Sequence, residues 1–267
     1  MTRNIKLTLA YDGSEFRGWQ VQPGFQTVQG TLSDVIRRTT GENVLPQGSG
    51  RTDTGVHALG QVASFRTEST IPSGNLQVVL NDRLPPSVRV LKVEEAASDF
   101  HARHSARGKT YKYRVYRGKV CPPYLYRYVA HYPYPLEEER MFGAAGHVVG
   151  EHDFTSFAAV DPDRAEREIE EVSGLGPVSQ NVLVKHATNV RTIWESRWER
   201  EGDELMYTVR GNGFLHHMVR NLVGTFLLVG KGTFDSGDVK RILEAKNRSA
   251  AGPTAAASGL WLVSVEY

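Results

Sequence analysis

The chain of 267 residues has a single cysteine, Cys121, and a formal net charge of only +2. One thiol excludes a disulfide framework within the chain and a metal site built from several cysteines, and it fits a reducing compartment. The first ten residues lack the apolar core and cleavage region of a secretory signal peptide. The longest apolar stretch, residues 214–229, is interrupted by histidine, arginine and asparagine, and is too short and too polar to span a bilayer. We therefore expect a cytoplasmic protein.

The small net charge alone gives little support for nucleic-acid binding, but the basic residues are unevenly distributed. A basic cluster with interleaved and following tyrosines comprises Arg103, Arg107, Lys109, Lys112, Arg114, Arg117 and Lys119, with Tyr111, Tyr113, Tyr116, Tyr124, Tyr126 and Tyr128. Cations beside aromatic rings suit phosphates and unstacked bases. A solvated strand would show the same alternation of charge, and composition alone does not separate the two interpretations.

The most informative segment is Gly48–Ala58, in which glycines surround one carboxylate, that of Asp53. Glycine tolerates backbone conformations that other residues avoid, so the run predicts a tight loop that a ligand can approach closely. Arg51 would favour the charged form of Asp53 if the two side chains lie within a few ångströms of each other. An anionic carboxylate on a shaped loop suits nucleophilic covalent chemistry. The alternative is an Asp/Gly turn with a surface ion pair.

Apolar periodicity predicts an α+β fold built from two similar halves. Strand, helix, strand, strand, helix and strand follow one another in the first half, which is the order of the split βαβ or ferredoxin-like arrangement. The second half repeats this order loosely. We predict ferredoxin-like halves at residues 1–105 and 106–267 that form a continuous mixed or antiparallel sheet flanked by helices, with a central cleft. Residues 161–184 have no clear period and are predicted to be an insertion.

Several element bounds can also be predicted. A strand is expected over residues 44–48, and a helix with Val28 on its apolar face should end at Gly41. A further helix is expected over residues 137–149. The stretch 215–229 is apolar on most sides and predicts a buried helix.

Several motifs, in the same order, resemble those of tRNA pseudouridine synthases of the TruA type. Residues 50–57 read Gly-Arg-Thr-Asp-x-Gly-Val-His, which resembles the signature of that family. The other matching motifs are residues 10–20, 109–114, 152–157, 211–224 and 252–260. Long ordered motifs over nearly the whole chain are far more specific than one short pattern. The chain departs from the family at Thr54, His216 and Ala256, where Ala, Tyr and Pro are common, and these positions bear on fine substrate preference rather than on the chemistry.

The resemblance implies isomerisation of uridine to pseudouridine at positions 38, 39 and 40 in the anticodon stem-loop of tRNA. It implies that Asp53 is the nucleophile, that Tyr111 stacks on the target uracil and that Arg51 helps to extrude the base. It also implies a homodimer in which one tRNA contacts both protomers. The reaction gains no atoms or electrons, so we expect no cofactor and no metal.

Arg220 matches a further substrate-binding position of the family and lies in an otherwise apolar stretch. A buried arginine is rarely unpaired, so its partner is expected to be either Asp53 or a backbone carbonyl of its own domain. His57, His216 and His217 lack the spacing of metal ligands, and packing or RNA contact explains them better.

Two alternatives come from other classes of protein. One is a noncatalytic RNA-binding protein of paired ferredoxin-like domains, which the combination of Arg51, Asp53 and Tyr111 disfavours. The other is a hydrolase acting on a nucleoside or sugar, which a single strong carboxylate motif disfavours because glycosidases usually use two. The sequence leaves open which of the three tRNA positions is preferred, and whether Asp53 attacks the base, the sugar C1′ or assists a glycal route.

Overall fold

The computed structural model describes residues 2–160 and 188–267, and the insertion predicted over residues 161–184 lies outside the described residues. Within those ranges the α+β class is confirmed. The strands are β1 (Arg3–Tyr11), β2 (Gln47–Gly48), β3 (His57–Thr67), β4 (Val88–Ala96), β5 (Gly108–Tyr116), β6 (Ala130–His131), β7 (Gly150–Asp153), β8 (Val190–Glu201), β9 (Glu204–Gly211) and β10 (Leu260–Glu266). The helices are α1 (Val28–Thr40), α2 (Ser73–Arg83), α3 (Glu138–Ala145), α4 (Met218–Gly230) and α5 (Asp238–Ala245).

The strands belong to a ten-stranded mixed sheet in the order β4-β1-β3-β10-β5-β9-β8-β7, with β2 paired to β3 and β6 paired to β5. The order β4-β1-β3-β2, in which all neighbours are antiparallel, is that of the split βαβ arrangement. The order β10-β5-β9-β8 repeats it with later strands. Strand β10 runs parallel to β3, with Trp261 opposite His57. The ferredoxin-like order of both halves is thus confirmed.

Packing divides the chain into two compact units. The first comprises Met1–Tyr134, Glu199–Arg210 and Ala256–Tyr267, and the second comprises Pro135–Trp198 and Gly211–Ala255. This division follows contacts, so it groups the last strand with the N-terminal strands. The division at residue 105 follows the order of elements, and it stays a prediction, as does the central cleft.

The core of the first unit follows from the alternation of β1 and the apolar face of α1. Ile5, Leu7 and Leu9 are fully buried on one face of β1. Helix α1 begins after Thr27, whose hydroxyl accepts a hydrogen bond from the amide of Gly30. Its last residue is Thr40, and Gly41 caps it with φ +80, which is the predicted stop.

The strand predicted over residues 44–48 is wrong for its first three residues, and only Gln47–Gly48 pairs as a strand. The carbonyl of Val44 accepts a hydrogen bond from the hydroxyl of Ser33. The carbonyl of Pro46 accepts one of 3.0 Å from the side-chain amide of Gln29. Side chains of α1 therefore bind carbonyl groups that a longer strand would have used in its ladder.

The second unit is built around α4, which is buried on most sides as predicted. Its predicted start at residue 215 is wrong, because His217 has φ +59 in the left-handed region and the helix begins at Met218. The helix predicted over residues 137–149 is shorter as well, since α3 ends at residue 145 and a 3-10 turn follows over Gly146–Val148. None of the helices in the described ranges has the length and apolar character needed to cross a membrane.

Candidate active site

Asp53 and Arg51 lie on the loop between β2 and β3, which we call the aspartate loop (residues 49–56). Both residues are half-buried. The amide of Val56 donates a 3.1 Å hydrogen bond to the carbonyl of Asp53, closing a turn that leads back into β3. The third position of this turn is Gly55, with φ +79, a conformation that favours glycine at this place in a β-turn. The local sequence therefore fixes Asp53 at the first position of a tight turn.

A neighbouring loop packs directly against the backbone before Asp53. The amide of Trp19 donates a 3.0 Å hydrogen bond to the carbonyl of Thr52. Gly18, beside it, has φ +80, and a Cβ atom on this residue would lie 2.5 Å from the same carbonyl oxygen. Glycine is thus required here both by the backbone conformation and by the close approach of the two loops.

Three strands also hold the aspartate loop through side chains. From β1, the hydroxyl of Tyr11 shares a buried 2.8 Å hydrogen bond with the hydroxyl of Thr52. From β3, the side-chain amide of Gln61 donates a 2.8 Å bond to the carbonyl of Gly50. From β5, Lys109 Nζ donates a 2.7 Å bond to the carbonyl of Ser49. These bonds limit the freedom of the backbone that carries Asp53.

Tyr111 lies on β5, two residues after Lys109, and is 8% exposed. Burial raises the pKa of its hydroxyl well above the usual range, and the nearby Tyr11 and the charge of Asp53 raise it further. Burial also raises the pKa of Tyr11 to about 12, against the opposing effect of hydrogen bonds with Thr52 and Gln61. The structure therefore brings Asp53 into electrostatic range of Tyr111, and both phenols stay protonated at neutral pH.

His57 is fully buried at the start of β3 and has the contacts of a packed core residue. Its ring stacks on Trp261 with centroids 4.3 Å apart. Nδ1 accepts a 3.1 Å hydrogen bond from the amide of Gly13, and Nε2 lies 2.9 Å from the carbonyl of Arg127. Burial lowers the pKa of His57, although the nearby carboxylate of Asp12 acts in the opposite direction. These contacts agree with the packing interpretation of this histidine.

Arg220 belongs to α4 of the second unit. Its Nε donates a 2.8 Å hydrogen bond to the carbonyl of Ala255, and the amide of Ala255 donates one of 3.1 Å to the carbonyl of Arg220. A backbone carbonyl is thus one partner of the guanidinium, and pairing with Asp53 stays a prediction. In the same unit His216 Nδ1 lies 3.1 Å from the carbonyl of Val160.

The arginines of the basic cluster differ in their contacts. Arg114 forms a bidentate pair with Glu204, with both N–O distances 2.7 Å, and the guanidinium of Arg117 donates to backbone carbonyls, that of Tyr134 among them. Arg107, in contrast, is exposed. The sequence does not distinguish arginines that stabilise the fold from those available to a polyanion.

Two positions were not identified from the sequence as part of the site. Lys109 belongs to the basic cluster and to the motif over residues 109–114, but neither pattern predicts its bond to the aspartate loop. No motif in the sequence points to Gln61. A lone amide side chain before the apolar residues of β3 is the signal that could have revealed it, because a fully buried glutamine needs partners for its polar atoms.

Comparison with known proteins identifies the family of this chain. The sequence profile of the family described as tRNA pseudouridine synthase matches residues 8–105 and 178–267. A tRNA pseudouridine synthase A from Solibacter usitatus is 46% identical over 99% of this chain and 100% of its own length. Proteins of the same name from Lacticaseibacillus casei and Caldicellulosiruptor saccharolyticus are 44% and 41% identical, each over 99% of this chain. Because both kinds of match span most of the chain, this protein belongs to the tRNA pseudouridine synthase family.

Proposed function

We propose that this protein isomerises uridine to pseudouridine at positions 38, 39 and 40 in the anticodon stem-loop of tRNA, with Asp53 as the nucleophile. The observation that carries the proposal is the placement of Asp53 on a loop held by three strands, in electrostatic range of the buried Tyr111. Membership of the family and similarity to relatives over the full length of the chain support the same reaction.

The reaction is balanced within one nucleotide. The N1–C1′ bond of uridine breaks, the detached base turns, and a C5–C1′ bond forms. N1 gains a proton, and C5 must lose the one it carried. The carboxylate of Asp53 attacks either C1′ or the base as the nucleophile. The third alternative is that it assists a glycal route. No electron leaves the nucleotide, so the chemistry calls for no redox cofactor.

The other residues have separate roles in this proposal. Tyr111 offers its ring as a stacking surface for the uracil and its hydroxyl as a relay for a proton. Arg51 helps to extrude the base from the stem, since an enzyme acting on a stacked base must first take it out of the helix. The substrate-binding role of Arg220 rests on the resemblance to the family. We further propose a cytoplasmic homodimer in which one tRNA contacts both protomers.

The proposal is tested by mapping pseudouridine in tRNA from cells with and without the gene. Loss of pseudouridine at positions 38–40, restored by the wild-type gene and not by a gene carrying Asp53→Asn, is the expected result. Purified protein should also form pseudouridine at these positions in an unmodified tRNA transcript. Unchanged pseudouridine in the deletion strain, together with tRNA binding and no turnover by the purified protein, would identify a noncatalytic RNA-binding protein instead.

A further inference from the structure

Gln61 of β3 uses the whole hydrogen-bonding capacity of its side chain in the fully buried space beneath the aspartate loop. Nε2 donates to the carbonyl of Gly50 at 2.8 Å and to the hydroxyl of Tyr11 at 3.4 Å. Oε1 accepts from the hydroxyl of Ser49 at 2.6 Å and from the amide of Val62 at 3.2 Å. A primary amide has two donor hydrogens and two acceptor sites, and each has a partner here.

The hydrogen bonds of Gln61 extend along the aspartate loop to the residue before Asp53. Ser49 and Gly50 are bound directly, and Thr52 is bound through the hydroxyl of Tyr11. Asp53 is the next residue along the chain. A change in the orientation of the Gln61 amide would therefore shift the backbone immediately before the carboxylate.

We propose that Gln61 is a positioning residue that holds the aspartate loop, and with it the carboxylate of Asp53, at the position required for reaction. This inference rests on the proposed function, because it assigns Gln61 to the pseudouridine chemistry of Asp53. Gln61 acts through the loop and does not itself touch the substrate. A displacement of about 1 Å at a reacting group can reduce turnover about 10²-fold, so the effect of releasing the loop is measurable.

The requirement for an amide at position 61 is chemical as well as steric. A glutamate has the same shape, but its ionised form has no hydrogen to donate to the carbonyl of Gly50. Its protonated form regains one donor and keeps an acceptor oxygen for Ser49. Burial favours the protonated form. Tyr11 and Lys109 are the titratable groups bonded directly into this network from β1 and β5, and the ammonium group of Lys109 acts in the opposite direction to burial.

Gln29 provides a matched control in the same unit. It is 1% exposed, its amide donates a 3.0 Å bond to the carbonyl of Pro46, and its oxygen accepts a 3.0 Å bond from the amide of Val21. Its side-chain bonds hold residues 21 and 46 rather than the aspartate loop. Gln29→Glu therefore tests the same chemical change in a similarly buried place.

The experiment measures single-turnover pseudouridine formation by wild type, Gln61→Glu and Gln29→Glu with saturating enzyme, between pH 5.5 and 8.5. Each rate is divided by the wild-type rate at the same pH, and a thermal melt checks that each variant is folded. We expect the Gln61→Glu ratio to be about 10–100-fold below one at high pH and to rise as pH falls. The Gln29→Glu ratio should stay within about threefold of one, and tRNA affinity should change little in either variant.

Hydrogen–deuterium exchange of the peptide covering residues 48–57 gives a second readout that does not need turnover. Relative to wild type at the same pH, Gln61→Glu should speed exchange in this peptide at high pH and Gln29→Glu should not. Equal rate ratios for the two variants, with unchanged exchange in the loop, would overturn the inference. Absence of pseudouridine formation by wild type would refute the proposed function, and exchange would still decide whether Gln61 holds the loop.

Ser49→Ala is the second variant for the case in which Gln61→Glu does not fold. It removes one of the four partners of Gln61 and leaves the apolar packing in place. Faster exchange of the loop and a loss of turnover of about threefold or more are expected. Turnover and exchange both equal to those of wild type would overturn the inference.

Discussion

Lys109 donates a 2.7 Å hydrogen bond from its ammonium group to the backbone carbonyl of Ser49, and this bond joins the strand of Tyr111 to the loop of Asp53. A hydrogen bond with a charged donor is stronger than a neutral one. Removing Lys109 would leave a partly buried carbonyl without this donor. The distance between the ring of Tyr111 and the carboxylate of Asp53 therefore depends on Lys109, which is neither the stacking residue nor the nucleophile.

We predict that Lys109→Met will reduce single-turnover pseudouridine formation at saturating tRNA about 10–100-fold, because methionine keeps most of the apolar stem and loses the donor. Lys6→Met is the matched control. Lys6 is also a half-buried lysine on a strand of the first unit, where it lies 4.8 Å from the ring centroid of Tyr267. The control should lower stability without changing turnover. Turnover by Lys109→Met within about twofold of wild type would contradict the linking role.

Asp53→Asn tests the nucleophile directly. Asparagine keeps the shape of the side chain but lacks the anionic oxygen, so tRNA affinity and the melting temperature should stay close to those of wild type. Turnover should fall about 10⁴-fold or more if the carboxylate is the nucleophile. Single-turnover assays and filter binding measure the two effects separately. Residual turnover within about tenfold of wild type would assign the nucleophile elsewhere.

The different contacts of Arg107 and Arg114 predict different effects of their substitution on the salt dependence of tRNA binding. Arg107 is exposed, whereas Arg114 is bound by Glu204. Binding to tRNA should weaken steeply with salt, because phosphate neutralisation releases counterions. Arg107→Gln should reduce the slope of log affinity against log salt by about one, and Arg114→Gln should leave it nearly unchanged. Equal slopes for both variants and wild type would exclude Arg107 from phosphate contact.

The half-buried His101 predicts acid sensitivity in the first unit. Burial lowers the pKa of His101 to about 4, helped by the charges of His104 and Arg103. The unfolded chain therefore binds a proton at this histidine at a higher pH than the folded one. The stability that it contributes is present above about pH 6.5 and is lost as pH falls towards 4.

His101→Asn should make the free energy of unfolding less dependent on pH between about 6.5 and 4. The asparagine oxygen can accept the amide bonds that Arg103 and His104 now donate to Nδ1. Urea unfolding at several pH values measures this dependence, with His131→Asn at an exposed histidine as the control. A pH dependence equal to that of wild type would show that His101 does not cause the acid sensitivity.

Much of the first unit could be predicted from local sequence. The alternation of β1 follows from side-chain periodicity, and the end of α1 before Gly41 follows from a helix-stopping residue. The conformation of residues 44–46 could not be predicted, because side chains of α1 bind the carbonyls of residues 44 and 46. The start of α4 depends on the left-handed backbone of His217, which apolar periodicity does not report.

Prediction of the candidate site from the sequence has the same limit. The aspartate loop could be predicted because glycines and a carboxylate are close together in the chain. Gln61 and Lys109 reach this loop from different strands, and their roles exist only once β3 and β5 are placed in the sheet. A local pattern can mark such a polar side chain, but it does not show which loop the side chain binds.

Two roles of Tyr111 can be separated by substitution. If the residue only stacks, Tyr111→Phe should keep most turnover, while Tyr111→Ala should lose the ~1–3 kcal/mol of a base–aromatic stack. If the hydroxyl relays a proton, Tyr111→Phe should bind tRNA normally and turn over about 10²–10⁴-fold more slowly. We expect the second result, because C5 must lose a proton after the carbon–carbon bond forms, and the buried hydroxyl of Tyr111 lies in electrostatic range of Asp53. Its raised pKa keeps this hydroxyl protonated through neutral pH, so its own ionisation should add no step to the pH profile of turnover between 6 and 9. Single-turnover rates of both variants with saturating enzyme decide between the roles, and near-wild-type turnover by Tyr111→Phe would leave stacking as the whole contribution.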